Sequence, residues 1–260
     1  MGAPLKNPPV YFTIAQVRFN TILKLADFLP AIQESLRHAG FPDFGFQKSV
    51  VLHVLTQDGH PAPVPAVQER YYFGNVDRTH AFLLEADKLS IQSTRYGSFE
   101  DFSELFLKGL AILHEVVKLD FIERIGLRYL DRIVPSNSES LCLYLTSDVM
   151  GLGNRIGGKV LHSYFETLCQ ADTIKLLSRI LTAAGGVQFP PDLMPGTLVV
   201  DARLAKYDGL YAILDNDGFY ETREVYSLNA VQKHLMEIHE IIKEAFRATA
   251  SDHAFKVWNQ

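Results

Sequence analysis

Apolar and polar residues alternate along a stretch in the middle of the chain, 121–134, which reads FIERIGLRYLDRIV. Successive side chains of a β-strand point to opposite faces, so this alternation predicts one long strand with an apolar face and a polar face. We expect the rest of the chain to be organised around it. The apolar face carries Phe121, Ile125, Leu127, Tyr129 and Ile133.

The polar face of the same strand carries three arginines, Arg124, Arg128 and Arg132, with Gly126 between the first two. A glycine lets another group approach the backbone closely. Three guanidinium groups on one face repel each other unless carboxylates or anions lie nearby. Two interpretations stay open: pairing with Glu or Asp from the packed helices, or a wall that binds phosphate, nucleic acid or an acidic partner.

Two stretches repeat apolar residues at helical spacing, 99–118 after a Ser98 N-cap and 227–249 near the end. A shorter helix is predicted to begin near Leu23 and to stop at Gly40. The proline-rich segment 57–67 predicts a loop, and the apolar run 141–150 predicts a helix. The remaining pattern predicts strands at 10–20, 46–56, 70–73, 80–86, 88–96, 159–169, 173–184, 197–206, 209–215 and 218–226, with a hairpin turn at 216–218.

The two halves of the chain resemble each other. Residues 108–121 read KGLAILHEVVKLDF and residues 233–246 read KHLMEIHEIIKEAF, with matching residues in register. This match predicts a tandem duplication of a strand–helix–strands–helix unit, with halves 1–119 and 120–260 packed closely together. The fold class is α+β: two mainly antiparallel sheets, or one continuous sheet, covered by helices.

Composition narrows the class of protein. The chain has 260 residues, nearly half of them hydrophobic, and a net charge of −5, so a large core is expected and general attraction to nucleic acid is not. The two cysteines, Cys142 and Cys169, have no metal-type spacing, which suits a cytoplasmic protein without disulfides. We expect no signal peptide and no membrane span.

Candidate chemistry is sparse. The segment Gly153–Val160, GNRIGGKV, has the spacing of a phosphate-binding loop, but Val160 stands where Ser or Thr would hold magnesium. We therefore expect a glycine-rich turn that binds no nucleotide tightly. His234 and His239 lie five residues apart, on different faces of one helix, so no metal site is predicted.

Three motifs carry a resemblance that spans the whole chain: L-x-N-x-P-V before a strand ending in Arg-Phe, the central RIGLRY-x-x-RI at 124–133, and a helical His-x3-Lys-x2-Phe with a late Trp. Their residues outside the centre are Leu5, Asn7, Pro9, Val10, Arg18, Phe19, His239, Lys243, Phe246 and Trp258. The chain resembles a sporadically distributed, uncharacterised family of bacterial proteins of about this length, from which it departs at 11–13. The resemblance implies no activity. The patchy distribution of the family is similar to that of genes in mobile or defence-related loci.

The sequence therefore favours a non-enzymatic binding or regulatory protein that recognises a protein partner or an anionic ligand, within a bacterial defence or toxin–antitoxin-like module. Its expected binding residues are Arg124, Gly126, Arg128 and Arg132. We expect no cofactor, and a homo-oligomer is compatible with the pattern. Two alternatives stay open: an RNA-binding or RNA-processing protein with two ferredoxin-like halves, and a nucleotide-binding enzyme that uses 153–159.

Overall fold

The computed structural model describes residues 5–57, 60–136, 139–156, 160–185, 189–190, 192–193, 195–201, 207 and 209–260. For residues 51–57, 60–66 and 154 it describes the backbone alone. Within these residues the chain is an α+β protein, as predicted, with one large antiparallel sheet and four α-helices. None of these helices is long and apolar enough to cross a membrane. The helices are α1 (Leu25–His38), α2 (Phe99–Val117), α3 (Leu228–Thr249) and α4 (Asp252–Trp258).

The strands form one continuous sheet in the order β2-β3-β4-β5-β1-β6-β9-β8-β7, and the short β10 pairs with β6. Every pairing between described strands is antiparallel. The predicted central strand, β6, does lie in the middle, between β1 and β9. The strands are β1 (Val10–Phe19), β2 (Asp43–Gln57), β3 (His60–Gly74), β4 (His80–Glu85), β5 (Lys88–Ser93), β6 (Phe121–Ile133), β7 (Ser163–Ala171), β8 (Ile174–Ala184), β9 (Leu210–Tyr220) and β10 (Glu224–Val225).

Helices α1, α2 and α3 bury their apolar faces in the main hydrophobic core against one face of the sheet. Ile125, Leu127 and Tyr129 of β6 belong to this core, which confirms the predicted apolar face. Because strand side chains alternate, the three arginines of β6 lie on the opposite face. A second core holds α4, where Trp258 stacks on Phe246.

The two long helices begin where the sequence places them. The hydroxyl of Ser98 accepts a hydrogen bond from the backbone N–H of Asp101 (3.0 Å), which satisfies one of the free donors at the start of α2. Ser227 caps α3 through the N–H of Ala230 (3.4 Å) in the same way. Both helices then bury one apolar stripe in the core, so capping and periodicity together were sufficient signals.

The proline-rich segment 57–67 is not a loop, because β2 and β3 form one long hairpin with Gln57 opposite His60. Pro61, Pro63 and Pro65 occupy alternate positions at the start of β3, so their backbone nitrogens, which carry no hydrogen, all face the same side of the strand. Strand β4 pairs with β3 only from Tyr71 onward, so the proline positions need no donor on that side. Proline is tolerated in a strand under this condition.

The predicted helix at 141–150 is also wrong. The segment contains two 3-10 turns, Leu141–Leu143 and Ser147–Val149. Its backbone bonds instead to the end of α3 and the residue that caps α4, through Thr146 N to Thr249 O and Ser251 N to Tyr144 O, both 2.9 Å. These tertiary hydrogen bonds take the place of a helical ladder.

The predicted hairpin turn at 216–218 lies inside β9, which runs unbroken from Leu210 to Tyr220. Helix α3 crosses the sheet at Gly218 and leaves no room for a side chain there. A Cβ would meet Ile238 at 2.6 Å and Ile242 at 3.1 Å. Of the predicted strand 197–206, residues 198–201 are not in a strand, and residues 202–206 lie outside the described part of the chain.

A close contact between α2 and the sheet predicts the effect of a small substitution. A Cβ at Gly109 would lie 2.3 Å from the ring of Phe82, which is fully buried. Gly109→Ala should therefore lower the unfolding free energy by about 1–3 kcal/mol through overpacking, despite the helix-propensity gain of about 1 kcal/mol. Urea unfolding measures the change, with Lys108→Ala on the exposed side of α2 as control. A Gly109→Ala variant as stable as the native protein would contradict this packing.

Candidate functional site

Arg128 is the most fully bonded residue of the arginine row. Its Nε and Nη2 donate to the two carboxylate oxygens of Asp215 at 2.6 and 2.7 Å. Its Nη1 donates to Asp192 at 2.6 Å, and Nη2 reaches the same carboxylate at 3.4 Å. The guanidinium therefore uses two edges, one on each aspartate. This arrangement is an ion pair buried in the sheet, with Arg128 only 7% exposed.

The other two arginines have separate surroundings. The guanidinium of Arg124 lies over the ring of Phe219 at 4.5 Å and 3.9 Å from Asp217. The group that approaches Gly126 is this same guanidinium, since a Cβ on Gly126 would meet Arg124 Nη1 at 2.9 Å. Arg132 lies over the ring of Tyr211 at 4.5 Å. The three arginines therefore share a face without converging on one anion.

The carboxylates that pair with the row come from β9 and a loop rather than from the helices. Asp215 and Asp217 alternate on β9 in register with the arginines of β6, Arg128 standing opposite Asp217. The interpretation that Glu or Asp from the packed helices pairs with the row is therefore wrong for Arg124 and Arg128. The helices cover the other face of the sheet and their side chains point into the main core.

Arg179 of β8 extends the network towards the sheet edge. Its Nε donates to Glu166 of β7 at 2.8 Å, and its Nη1 donates to Asp215 at 3.3 Å. The hydroxyl of Tyr164 donates to the same Glu166 carboxylate at 2.6 Å. Arg179 therefore bonds two carboxylates at once, and the hydroxyl of Tyr164 also interacts with its guanidinium.

A cleft of about 640 Å³ opens beside Arg179 on this face. A cleft of this volume can hold a small molecule or a side chain. Its charged wall consists of Arg179, Asp192 and Asp215. Arg128 does not line the cleft, although its partner Asp192 does. The rest of the wall is largely apolar: Tyr164, Leu181, Phe189, Pro190 and Ile213.

The charges in this cluster are held in their ionised forms. Burial alone would lower the pKa of Arg128, but hydrogen bonds to Asp215 and Asp192 outweigh it and raise that pKa. Burial would raise the pKa of Asp192, but the hydrogen bond from Arg128, the charges of Arg128 and Arg179 and a backbone hydrogen bond together outweigh it, so that pKa lies below its usual value. Asp217 differs, because burial dominates there and raises its pKa. The Arg128–Asp192 contact is thus an interaction between full charges.

The histidines serve as packing and hydrogen-bonding groups. His114 Nδ1 accepts a hydrogen bond from the backbone of Leu119 at 3.1 Å. His234 contacts Glu224 and Glu237, each at 3.1 Å, and stacks on Tyr220. Searched over the described residues alone, His, Cys, Asp and Glu form no group that could hold a metal ion.

The glycine-rich segment offers no visible phosphate cradle in the part that is described. Leu152–Asn154 form a 3-10 turn, and residues 157–159, which include the lysine of the motif, lie outside the described residues. The prediction that this segment binds no nucleotide tightly stays a prediction.

The sequence did not identify five residues of the cluster: Tyr164, Glu166, Arg179, Asp192 and Asp215. One signal was present. Asp215 and Asp217 lie two residues apart between the apolar stretches 210–214 and 219–220, a spacing that places both carboxylates on one face of a strand. The turn-like chemistry of Asn216 and Gly218 hid this alternation.

In comparisons with known proteins, no protein-family model matches the chain, and no curated protein matches it.

Proposed function

We propose that the protein is a non-enzymatic binding or regulatory protein that recognises an acidic protein partner or an anionic ligand at the Arg179 cleft. One observation carries the proposal: the guanidinium of Arg179 lines an apolar-walled cleft on the sheet face opposite the helices. Arginine presents planar donors that suit carboxylates, and apolar walls strengthen such a bond by excluding water.

Apolar side chains beside the cleft support a protein partner over a lone ion. Strand β7 is the edge of the sheet and is exposed along most of its length. Its exposed large side chains are Tyr164 (56% exposed), Phe165 (38%) and Leu168 (64%). An exposed apolar edge next to a charged cleft is typical of a surface that another protein covers.

The alternative RNA-binding function gains little support from the charges on this face. It would need a continuous basic groove. Instead, neighbouring carboxylates lie close to the cations: Glu85 contacts both Arg70 (2.9 Å) and Lys88 (2.8 Å), and Glu221 contacts Lys175 (3.1 Å). With Arg128 and Arg179 also paired, the face presents alternating charges rather than a basic stripe.

We also infer a tandem duplication of halves 1–119 and 120–260. The strand order supports it, since β5-β4-β3 runs outward from β1 in the way that β9-β8-β7 runs outward from β6. Superposition of β1 to α2 on β6 to α3 tests this inference. Membership of a bacterial defence or toxin–antitoxin-like module depends on the sequence resemblance alone, and the neighbouring genes test it.

Binding of charged peptides tests the proposed function. We expect hexaglutamate to bind in titration calorimetry, hexalysine not to bind, and the affinity to fall as salt rises. Arg179→Gln should weaken hexaglutamate binding by about tenfold or more, because a desolvated charged hydrogen bond is lost. Lys175→Gln is the matched control: it lies on the same strand and face, is paired to Glu221, and does not line the cleft.

Two results would contradict the proposal. One is equal loss of binding in Arg179→Gln and Lys175→Gln, which would indicate a general charge effect. The other is tighter binding of a single-stranded RNA oligomer than of hexaglutamate, which would favour the RNA-binding alternative. Melting curves of both variants confirm that each is folded, and Asp215 keeps its bonds to Arg128 in both.

A further inference from the structure

The two aspartates that hold Arg128 differ in kind. Asp215 belongs to β9, and its side chain is 4% exposed, so it forms a fixed inner partner. Asp192 belongs to the connection between β8 and β9, and its side chain is 59% exposed. It bonds the Nη1 and Nη2 edge of the guanidinium and lines the cleft, where Arg128 does not. Release of Asp192 would therefore expose that edge of Arg128 to the cleft.

We propose that the Nη1 and Nη2 edge of Arg128 is an anion-binding position, here called the anion seat, and that the Asp192 carboxylate is its internal occupant. The ligand of the cleft presents a carboxylate that takes the place of Asp192. This inference rests on the proposed function and deepens it by naming the ligand chemistry and the seat. The bound ligand would contact Arg128 through Nη1 and Nη2 and would meet the guanidinium of Arg179 in the wall of the cleft.

The exchange can occur without unfolding of the connection that carries Asp192. Phe189, three residues earlier, packs edge-on against Tyr11 (5.5 Å between ring centroids) and Phe12 (5.2 Å). A backbone hydrogen bond from Leu193 N to Pro190 O (2.9 Å) closes the turn that contains Asp192. The connection therefore stays anchored to the sheet, and the displacement involves the side chain of Asp192 and its turn.

Charge balance selects a carboxylate over a phosphate dianion. The seat joins two guanidinium groups, Arg128 and Arg179, to two fixed carboxylates, Asp215 and Glu166. Asp192 adds one further negative charge, and an incoming carboxylate restores the same balance when Asp192 leaves. A dianion would place an additional negative charge beside two fixed carboxylates, which is unfavourable in a partly desolvated site.

Removal of Asp192 provides the test. In Asp192→Ala the seat is empty, so acetate should raise the melting temperature of this variant while sodium chloride at equal ionic strength does not. The native protein should show no acetate effect, since its seat is filled. Glu221→Ala is the matched control, because it also removes an exposed carboxylate from a basic partner, Lys175, and should show no response to acetate.

The same variant distinguishes a free carboxylate from one on a peptide. A competent state that is only partly populated weakens apparent affinity by its population, so Asp192→Ala should bind hexaglutamate about tenfold more tightly than the native protein. If Asp192→Ala binds hexaglutamate more tightly than it binds acetate, a peptide carboxylate is the better occupant of the anion seat. Asp192→Asn serves as a second variant if the alanine substitution prevents folding.

The failures of the two proposals can be told apart. If hexaglutamate binds through Arg179 but Asp192→Ala neither binds it more tightly nor responds to acetate, Asp192 is an ordinary ion-pair residue. The inference is then wrong and the proposed function stands. If hexaglutamate binds neither the native protein nor Asp192→Ala, both proposals are wrong.

Discussion

Arg128→Ala should lower the unfolding free energy by about 3–5 kcal/mol, the usual cost of removing one partner from a buried ion pair. The substitution leaves Asp215, whose side chain is 4% exposed, with Arg179 Nη1 at 3.3 Å as its remaining cationic contact. Two short hydrogen bonds to that carboxylate are lost. Urea unfolding at neutral pH measures the effect as a shift of the midpoint at constant slope.

Two further variants separate the ion pair from other causes. Lys175→Ala removes an exposed cation from its pair with Glu221 and should change stability by less than about 1 kcal/mol. The double variant Arg128→Leu with Asp215→Leu should recover much of the loss, because no unpaired buried charge remains. If Arg128→Ala alone is as stable as the native protein, the guanidinium does not hold Asp215 in solution.

This expectation changes how a binding role of Arg128 can be examined. A variant that loses several kcal/mol also loses binding by unfolding, so its affinity alone says little. Asp192 and Arg179 line the cleft, and Asp192 is the exposed partner of Arg128. Substitutions at these two positions therefore report on the anion seat while Arg128 and Asp215 remain in place.

The elements that the sequence predicts well are those whose signal is local and repeated. Helix α2 has a serine cap and a complete apolar stripe, and the centre of β6 alternates without interruption from Arg124 to Tyr129, so each pattern has one reading. Strand β9 has a local pattern that opposes its structure. Asp215, Asn216 and Gly218 have turn chemistry, yet the strand continues because arginines on two neighbouring strands neutralise its acidic side chain at 215.

The sequence predicted the arginines of the candidate site but not their partners. Alternation on β6 correctly placed three arginines on one face, but it could not identify their partners. Asp215 lies 87 residues from Arg128 in the chain, and Asp192 lies 64 residues away. These contacts exist because β9 pairs with β6 and the β8–β9 connection folds over that face, which is information held in the strand order.

One further residue of β6 was not singled out by the alternation. Asp131 lies on the apolar face, between Tyr129 and Ile133, and is 6% exposed. Burial raises its pKa to about 7, and no hydrogen bond or cation among the described residues offsets that burial. The titratable groups that sense its charge are tyrosines, Tyr96, Tyr129 and Tyr11, whose own pKa values are raised mainly by burial.

Asp131→Asn should stabilise the protein at neutral pH and above and leave it nearly unchanged below its ordinary pKa of 3.8. The folded protein binds the Asp131 proton more tightly than the unfolded chain, so stability from this group is full below its ordinary pKa of 3.8 and is lost as the pH rises through about 7. That interval corresponds to about 4 kcal/mol at 1.36 kcal/mol per pKa unit. The difference in unfolding free energy between Asp131→Asn and the native protein should grow from pH 5 to about pH 7 and then level off. Asp148→Asn at an exposed position should give a flat difference over the same range. A flat difference for Asp131→Asn would show that this carboxylate is ionised and solvated in the folded protein.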